Sequence, residues 1–366
     1  MVLAAVKTGP QQTERRELPR PEVGAGSGLL LVEAAGVCGS DIPAYKQPGA
    51  EPLILGHENV GIVAALGAGA AARWGVREGD RVAVEEYLPC GHCGWCRQGE
   101  YRHCETTDVY ANPLARRYGQ HPLSAAPGLW GGFAQYLYLP PTAVLHRVPA
   151  GISPELLALA LPLGNGVQWA CIDAGVGPGS RLLIAGPGQQ GLACLVAARA
   201  SGAAQVLVSG LSRDGARLAV AAQLGAAATI DVQREDLIER VRQLTDGQGV
   251  DAVVDCTSAH DGALVGNALA VLKRRGGTLV LQATGMPANF PLGLLGRKNV
   301  TLKPARGHSW AAVELGLQHL ASGRYRLEQL ATHRFGLADV DRALRVAGGE
   351  LDDAAIHVTV DPRQVS

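Results

Sequence analysis

A thiol, an imidazole and a carboxylate occur within one short, glycine-rich stretch of the chain. Cys38 lies in the segment from Gly36 to Asp41, and His57 and Glu58 lie in Gly56-His57-Glu58-Asn59-Val60-Gly61. Cysteine and histidine are the usual ligands of zinc, which can keep one of its four positions open for catalysis. A lone cysteine and a lone histidine are more often core residues, so the pair by itself indicates a candidate metal site and no more.

Four further cysteines form the most specific local signal in the sequence. They follow the pattern Cys-x2-Cys-x2-Cys-x7-Cys, with Cys90, Cys93, Cys96 and Cys104 at its four positions. Four thiolates at this spacing can surround one tetrahedral zinc ion, and the intervening glycines let backbone NH groups turn toward the sulfurs. The alternative, a chance cluster of exposed thiols, is disfavoured because proteins avoid exposed free cysteines. A closed four-sulfur shell has no open position, so we predict a structural zinc.

A third signal lies in the second half of the chain. The apolar run Leu182 to Ala185 reads as a strand, and the alanine-rich run Leu192 to Ala200 reads as a helix. A Gly-x-Gly-x-x-Gly segment joins them, in which the glycines allow a tight turn and close approach of a pyrophosphate to the helix N-terminus. We therefore predict a dinucleotide site formed by Gly186, Gly188, Gln189, Gln190 and Gly191.

The elements around these residues indicate two domains, as expected for 366 residues. Short apolar runs such as Gly28 to Glu33, separated by Pro and Gly turns, indicate barrel-like strands in the first part. Ser153 reads as the N-cap of a helix from Pro154 to Leu161. Short apolar strands then alternate with helices, which is typical of a doubly wound parallel sheet. Its six predicted strands are 182–185, 205–209, 229–230, 252–255, 278–282 and 300–303.

Composition excludes several other classes of protein. Apolar residues make up 47% and charged residues 18% of the chain, as in soluble globular proteins. Lys+Arg and Asp+Glu are equal at 33 each, which argues against a nucleic-acid partner or a membrane surface. No run of 18 apolar residues occurs, so no membrane span is predicted. The segment from Met1 to Lys7 reads as a strand rather than a signal peptide, and the cysteine usage suits a reducing compartment, so we expect a cytoplasmic location.

The glycine frame around His57 resembles the zinc signature of the medium-chain dehydrogenase/reductase family, the zinc alcohol dehydrogenases and their polyol and threonine dehydrogenase relatives. The shared pattern is Gly56-His57-Glu58-x-x-Gly61-x5-Gly67-x-x-Ala70, and the resemblance covers essentially the whole chain. It implies an α/β fold with a GroES-like β-barrel catalytic domain at residues 1–153 and 304–366, carrying a structural zinc lobe at about 88–106. A Rossmann domain that binds NAD(P) is implied at residues 154–303.

The resemblance also implies roles for individual residues. Cys38 and His57 are implied as ligands of the catalytic zinc, and Glu58 as a carboxylate at or near the metal. Ser40 is implied as the hydroxyl that begins a proton relay from the substrate, with a turn hydroxyl bonded to backbone as the alternative. Cys90, Cys93, Cys96 and Cys104 match the structural zinc lobe of the family.

Two departures from the family pattern concern the metal. Pro43 stands where many relatives carry a relay histidine, so the proton must leave by another route. Leu161 stands before Pro-x-Gly-Asn, where polyol and threonine dehydrogenases have an acidic residue. Because leucine cannot bind zinc, we predict Glu58 as the third protein ligand. Asp41 is less suited, since its place in the turn after Cys38 favours bonding to backbone.

A third departure concerns cofactor choice. Gly210 replaces the acidic residue that would bond the adenosine ribose. A carboxylate there would repel a 2′-phosphate, whereas Ser212, Arg213 and Arg217 offer a hydroxyl and two guanidinium groups nearby. The sequence therefore favours NADP(H) over NAD(H). The opposing observation is Asp214, which is placed to reach the ribose hydroxyls instead.

These residues together predict a zinc-dependent, NAD(P)-linked oxidoreductase that interconverts a secondary alcohol and its ketone, with two zinc ions per subunit. A sugar, cyclitol, polyol or amino-alcohol substrate is favoured because the segment 164–168 resembles the threonine and cyclitol dehydrogenase branch. The family resemblance implies a homodimer or homotetramer.

Two alternatives stay open at this point. One is a reductase of C=C or C=N bonds on the same fold that does not use zinc, and the other is a nucleotide-binding protein without turnover. Retention of Cys38 and His57 argues against the reductase, whereas Leu161 argues for it. Metal content discriminates among them, since two zinc ions per subunit support the dehydrogenase.

Overall fold

A computed structural model describes residues 1–49, 51–109, 111–112, 114–257, 262–282 and 292–365. The chain divides into two compact units, residues 1–161 together with 331–366, and residues 162–330. The predicted boundaries at 153/154 and 303/304 are therefore wrong. Residues 305–330 belong to the second unit because the segment after residue 304 bonds to it, as in the 3.0 Å bond from Trp169 Nε1 to the Gly307 carbonyl.

Among its described residues, the N-terminal part of the first unit has seven strands and four short helices. The strands are β1 (Val2–Gly9), β2 (Gln12–Leu18), β3 (Gly28–Gly36), β4 (Glu58–Leu66), β5 (Arg81–Val84), β6 (Tyr136–Leu139) and β7 (Leu145–Arg147). The helices are α1 (Asp41–Lys46), α2 (Ala70–Trp74), α3 (Gly94–Arg97) and α4 (Pro154–Leu157), with a 3-10 turn at Tyr101–His103.

The second unit alternates strands and helices. Helix α5 (Ala160–Gly166) crosses the boundary and continues as a π-helical segment (Val167–Asp173). The strands are β8 (Arg181–Ala185), β9 (Gln205–Gly210), β10 (Ala228–Asp231), β11 (Ala252–Asp255), β12 (Thr278–Leu281) and β13 (Thr301–Pro304). The helices are α6 (Gln189–Ala200), α7 (Gly215–Gln223), α8 (Leu237–Leu244), α9 (Gly262–Val271), α10 (Leu292–Lys298) and α11 (Trp310–Ala321), with 3-10 turns at Ser212–Asp214 and Leu327–Gln329.

The chain then returns to the first unit with β14 (Ala331–Gly336), a 3-10 turn (Leu337–Asp339), α12 (Val340–Ala347) and β15 (His357–Asp361). Strand β15 pairs with β3, which also pairs with β4 and β6. The resulting sheet has the order β14-β15-β3-β4-β5-β7, and β1 and β2 form a separate hairpin. Because β3 lies at the centre of this sheet, it is buried along nearly its whole length.

The sheet of the second unit is parallel throughout and has the order β10-β9-β8-β11-β12-β13. The predicted six strands are confirmed, including the short one near Thr229. Leu182, Leu183 and Ile184 of β8 are all buried because helices cover both faces of a parallel sheet. The strand order reverses between β8 and β11, and in such folds the ligand crevice opens at the carboxyl ends of the strands at that point.

The predicted helix over 154–161 is wrong in its extent. Helix α4 ends at Leu157, and α5 carries helical backbone through the glycine-containing segment 164–166, beyond the predicted end at Leu161. A Cβ on Gly166 would overlap the backbone of Ala193 in α6, so the glycine lets two helices pack closely and tertiary contact outweighs its low helix propensity.

The helical segment Pro154–Asp173 is long and apolar enough to cross a membrane by length and composition alone. Its most apolar window is 72% buried inside the fold. Core helices of soluble proteins pass the same test, and the burial favours that interpretation here.

Candidate active site

The pairing of β3 with β4 brings the two predicted metal ligands together. Gly36, the last residue of β3, lies opposite Glu58, the first residue of β4. Cys38 follows β3 by two residues and His57 precedes β4 by one, so both side chains leave the same end of the strand pair. Cys38 and His57 are nineteen positions apart in the sequence, and the antiparallel pairing of β3 with β4 brings their parts of the chain together in space.

The Asp41 carboxylate contacts both Cys38 and His57. One carboxylate oxygen, Oδ2, accepts a 3.0 Å hydrogen bond from the Cys38 backbone NH, and the other, Oδ1, lies 3.3 Å from His57 Nδ1. A histidine whose Nδ1–H donates to a carboxylate presents its Nε2 as the metal-binding atom. The sequence predicted the backbone bond of Asp41 and missed the bond to His57. The signal was the Cys38-Gly39-Ser40-Asp41 turn, which places a carboxylate three residues beyond a candidate ligand.

Ser40 lies on the Nε2 side of the His57 ring. Its Oγ is 3.5 Å from His57 Nε2. Ser40 precedes α1, yet its hydroxyl makes no cap bond to that helix, all of whose residues the structure describes. This position agrees with a relay hydroxyl better than with a turn hydroxyl that caps backbone.

Glu58 is buried beside the end of β3. A Cβ on Gly36 would overlap Glu58 Oε2 and would lie 2.8 Å from Cε1 of His357 in β15, so the carboxylate and this imidazole both face Gly36. Burial lowers the pKa of His357 to about 3, which keeps its ring neutral. Leu161 is also buried, as its apolar side chain requires.

The buried environment changes the ionisation of both predicted ligands. Burial raises the pKa of the Cys38 thiol, with a further increase from the nearby Glu58 carboxylate, while His57 opposes the change. Burial alone would lower the pKa of His57, but Asp41 and Cys38 together raise it overall. A cation between these groups would relieve the cost of burying their negative charge, as zinc does when it binds thiolate.

The long segment 105–130 contacts the same site. A Cβ on Gly119 would lie 3.6 Å from His57 Nδ1, and the Gly119 NH donates a 2.8 Å bond to the Trp130 carbonyl. Trp130 stacks on His121 with ring centroids 4.5 Å apart. Tyr110 and Pro113 of this segment lie outside the described residues. At Gly119 this segment lies against the predicted metal ligand His57.

The structure also brings the four lobe cysteines together. The Sγ atoms of Cys90, Cys93, Cys96 and Cys104 all lie within 4.8 Å of one another, and no second group of three or more candidate ligands this close occurs among the described residues. Backbone NH groups donate to three of the sulfurs, as in the 3.3 Å bond from the Cys90 NH to Cys104 Sγ. Burial raises the pKa of the Cys104 thiol, but bonds from Cys90 and Thr106 outweigh it and lower this pKa to about 7. This donor set fits a zinc ion.

The glycine-rich segment fits a dinucleotide. A Cβ on Gly191 would overlap the Gly186 carbonyl, so the turn requires glycine there, whereas the space above Gly188 is open. Helix α6 begins at Gln189 and runs for 12 residues, so its N-terminal NH groups and dipole face that open space. Gly186, Gly188, Gln189, Gln190 and Gly191 therefore lie between the end of β8 and the start of α6, and they stay the predicted pyrophosphate site.

Two comparisons with known proteins identify the family. Residues 24–150 match the family model described as the alcohol dehydrogenase GroES-like domain, and residues 191–322 match that of the zinc-binding dehydrogenases. The chain is 38% identical to a probable alcohol dehydrogenase of Mycobacterium tuberculosis, over 99% of each protein. The chain belongs to the zinc-dependent medium-chain dehydrogenase family.

This dehydrogenase also resembles more distant members. It is 31% identical to a sorbitol dehydrogenase of Halalkalibacterium halodurans over 95% of each chain. A zinc-binding dehydrogenase of Sinorhizobium meliloti, solved bound to NADP, superposes with a TM-score of 0.83 at 25% identity over 99% of each chain. The predicted combination of a GroES-like domain and a Rossmann domain is confirmed, and the protein is an oxidoreductase that acts on CH–OH groups with a nicotinamide cofactor.

The residues predicted to select NADP(H) lie at the carboxyl end of β9. A Cβ on Gly210 would lie 2.9 Å from Pro187 Cγ, so packing against the glycine-rich segment also requires glycine at this position. Asp214 accepts a 2.9 Å bond from the Leu211 NH and pairs with Arg217 at 3.1 Å, so its carboxylate is engaged within the turn. Ser212 Oγ donates to Asp231 at 2.7 Å.

Proposed function

We propose that the dehydrogenase interconverts a polar secondary alcohol and its ketone at a zinc ion held by Cys38, His57 and Glu58. The observation that carries this proposal is the Asp41 carboxylate, which bonds to the Cys38 backbone NH and lies 3.3 Å from His57 Nδ1, so that His57 Nε2 is left on the side of Ser40. A sugar, cyclitol, polyol or amino-alcohol substrate is supported by the likeness to the sorbitol dehydrogenase and by the segment 164–168.

When bound, zinc polarises the substrate oxygen, and the nicotinamide exchanges a hydride with the substrate carbon. The residues of the chain then have distinct tasks. Ser40 Oγ, beside His57 Nε2, takes the hydroxyl proton of the alcohol and at the same time releases its own hydroxyl proton to solvent water, and the reverse transfer supplies a proton to the ketone. Asp41 keeps His57 in one tautomer and orientation. Pro43, in the first turn of α1, has no group that can carry the proton onward.

The proposal includes two zinc ions per subunit, one catalytic and one in the cysteine lobe. Metal analysis of the purified protein, combined with a screen of secondary alcohols against NAD and NADP, tests it. We expect two zinc ions and turnover of at least one polar secondary alcohol. If the protein holds one zinc ion per subunit and reduces conjugated C=C or C=N bonds, the result would favour the zinc-independent reductase. If it holds one zinc ion and turns over no substrate, the result would favour a nucleotide-binding protein.

Glu58→Gln is expected to weaken zinc retention more than Asp41→Asn does. Glu58→Gln removes a proposed direct ligand, whereas Asp41→Asn loses only the support for His57, which typically costs about 10-fold to 100-fold in affinity or activity. Zinc content after dialysis against a graded chelator series ranks the two variants. Equal retention by Glu58→Gln and the native protein would exclude Glu58 as a ligand.

We propose NADP(H) as the preferred cofactor. Gly210 places no carboxylate at the end of β9, and Asp214 is engaged with Leu211 and Arg217. Arg213 is exposed and has no acidic partner in the part of the chain that the structure describes, so its guanidinium is the cation offered to a 2′-phosphate. The NADP bound to the Sinorhizobium meliloti relative supports the same preference.

Arg213→Ala is expected to lower kcat/KM for NADP about 10-fold and to leave kcat/KM for NAD nearly unchanged, since only NADP has the 2′-phosphate. Steady-state kinetics with both cofactors measure this, with Arg242→Ala on the exposed face of α8 as the matched control. An equal loss with both cofactors would remove the basis for the preference.

We also propose that the protein is a cytoplasmic homo-oligomer. Strand β13 ends the parallel sheet, and three of its four residues are exposed. An edge strand of this kind offers backbone groups for pairing with a second copy. Light scattering of the purified protein distinguishes a dimer from a tetramer.

A further inference from the structure

Three consecutive residues after β13 are each bonded to α5 or to the π-helical segment that continues it. The Gly307 carbonyl accepts a hydrogen bond from an indole NH. The His308 ring forms a hydrogen bond with a side-chain carboxamide, and Ser309 donates hydrogen bonds to a second carboxamide. The pairs are Gly307 with Trp169 Nε1 at 3.0 Å, His308 Nδ1 with Asn165 Oδ1 at 2.9 Å, and Ser309 N and Oγ with Gln168 Oε1 at 3.2 and 2.9 Å. The segment after β13 is thereby fixed to the helix residue by residue.

The three partners on the helix share one face but differ in exposure. Asn165, Gln168 and Trp169 stand at positions i, i+3 and i+4, which neighbour one another on a helix surface. Gln168 is fully buried and Trp169 nearly so, whereas Asn165 is only partly buried. Gln168 also donates to Asp173 at 3.0 Å, so its amide is engaged on both sides. Asn165 is therefore the member of this face that can also meet a ligand.

Asn165 lies where the second half of a dinucleotide is expected. Ala305, just past β13, donates a 2.9 Å backbone bond to the Leu281 carbonyl at the end of β12, so the segment 305–309 leaves from the carboxyl edge of the sheet. Gly166, next to Asn165, packs directly on Ala193 of α6, the helix that begins at the glycine-rich segment. The nicotinamide half of a dinucleotide lies beyond the switch point, over the β11-β12-β13 half of a sheet of this order.

We propose that Asn165 donates a hydrogen bond from its Nδ2 amide to the carboxamide oxygen of the nicotinamide, and that His308 positions it. His308 donates from Nδ1 to Asn165 Oδ1, which fixes the rotation of the amide and turns its NH2 group away from His308. His308 is 1% exposed and is itself held between the bonded neighbours Gly307 and Ser309. This inference rests on the nicotinamide cofactor of the proposed function.

A neutral amide suits this position chemically. The nicotinamide ring is cationic when oxidised and neutral when reduced, so an uncharged donor binds both forms and leaves their equilibrium little changed. A bond to the carboxamide oxygen also limits rotation of the ring, which decides which ring face is turned to the substrate. His308 contacts neither substrate nor cofactor in this arrangement and acts only through Asn165.

The test compares two ligands that differ only in the nicotinamide ring. The dissociation constant of the reduced cofactor is measured by its fluorescence, and that of ADP-ribose or 2′-phospho-ADP-ribose by its competition. We expect Asn165→Leu to raise the dissociation constant of the reduced cofactor about 10-fold and to change that of the fragment less than twofold. Asn165→Asp, which keeps an acceptor for His308, is expected to change the ratio of the two constants in the same direction.

His308 and a control variant complete the experiment. His308→Phe is expected to reproduce part of the loss, and His308→Asn to restore it, because an asparagine amide nitrogen can occupy the position of ring Nδ1. Asn267→Leu, on the exposed surface of α9, is the matched control and is expected to change neither constant. Unchanged binding in Asn165→Leu, or an equal loss for cofactor and fragment, would overturn the inference. Failure of the native protein to bind either reduced cofactor would overturn the proposed function as well.

Discussion

Cys38→Ala is expected to remove one of two zinc ions per subunit and to lower kcat/KM by roughly a thousandfold, while the melting temperature changes little. The thiolate is one of three proposed ligands, and the pairing of β3 with β4 brings its part of the chain next to His57 and Glu58. A metal that polarises the substrate oxygen contributes several kcal/mol to transition-state stabilisation, and about 4 kcal/mol corresponds to a factor of a thousand. Metal analysis, steady-state kinetics and thermal unfolding give the three readouts.

Cys171→Ala is the matched control for this variant. Cys171 is a half-buried thiol of the second unit that lies 3.0 Å from the Ser201 hydroxyl, remote in the sequence from both cysteine groups. It should retain both zinc ions and full activity. Full activity of Cys38→Ala with both zinc ions present would contradict the proposed catalytic site and would favour the zinc-independent reductase.

Cys93→Ser is expected to give the opposite result, with one zinc ion lost, stability reduced and chemistry retained. Structural zinc binds with about 10–16 kcal/mol in small zinc domains, and the lobe can use this free energy only when folded. A loss of about 4 kcal/mol would lower the melting temperature by roughly 10 °C. Below the new transition, kcat should stay within about threefold of the native value, because Cys38 and His57 are unchanged.

The same measurements decide this prediction. Cys93→Ser with unchanged melting temperature and full zinc content would exclude the lobe as a structural metal site. A thousandfold loss of kcat in protein that remains folded would instead place the lobe in the chemistry. The two cysteine variants should therefore separate stability from catalysis, each affecting mainly one of them.

The parts of the fold that the sequence predicted are those set by local pattern. The four inner parallel strands, β8, β9, β11 and β12, were predictable because each contains a short run of buried Val, Leu or Ile, as at Leu182 to Ala185. The cysteine lobe was readable because four ligands fall within 15 residues. In both cases the pattern that allows the prediction lies within a short stretch of sequence.

The parts that the sequence did not predict depend on long-range packing. The helix was predicted to end at Leu161, but it continues through Gly166, whose missing Cβ lets α6 pack closely. Gly210 read only as a missing carboxylate, whereas Pro187 leaves no room for any side chain there without displacement. The bond between Asp41 and His57 depends on the register of β3 and β4, which no local pattern fixes. The boundary at residue 330 depends on bonds between segments about 140 residues apart.

The pairing of β15 with β3 has a consequence for biosynthesis. Residues 331–366 leave the ribosome only after all of residues 162–330, yet they supply two strands of the first unit, including His357 beside Glu58. The cofactor-binding unit is contiguous and can fold while translation continues, whereas the unit with the predicted metal ligands must wait for its last strands. During that interval Cys38 and His57 lie on an incomplete sheet, where a chaperone can contact them or a metal ion can bind before the site is complete.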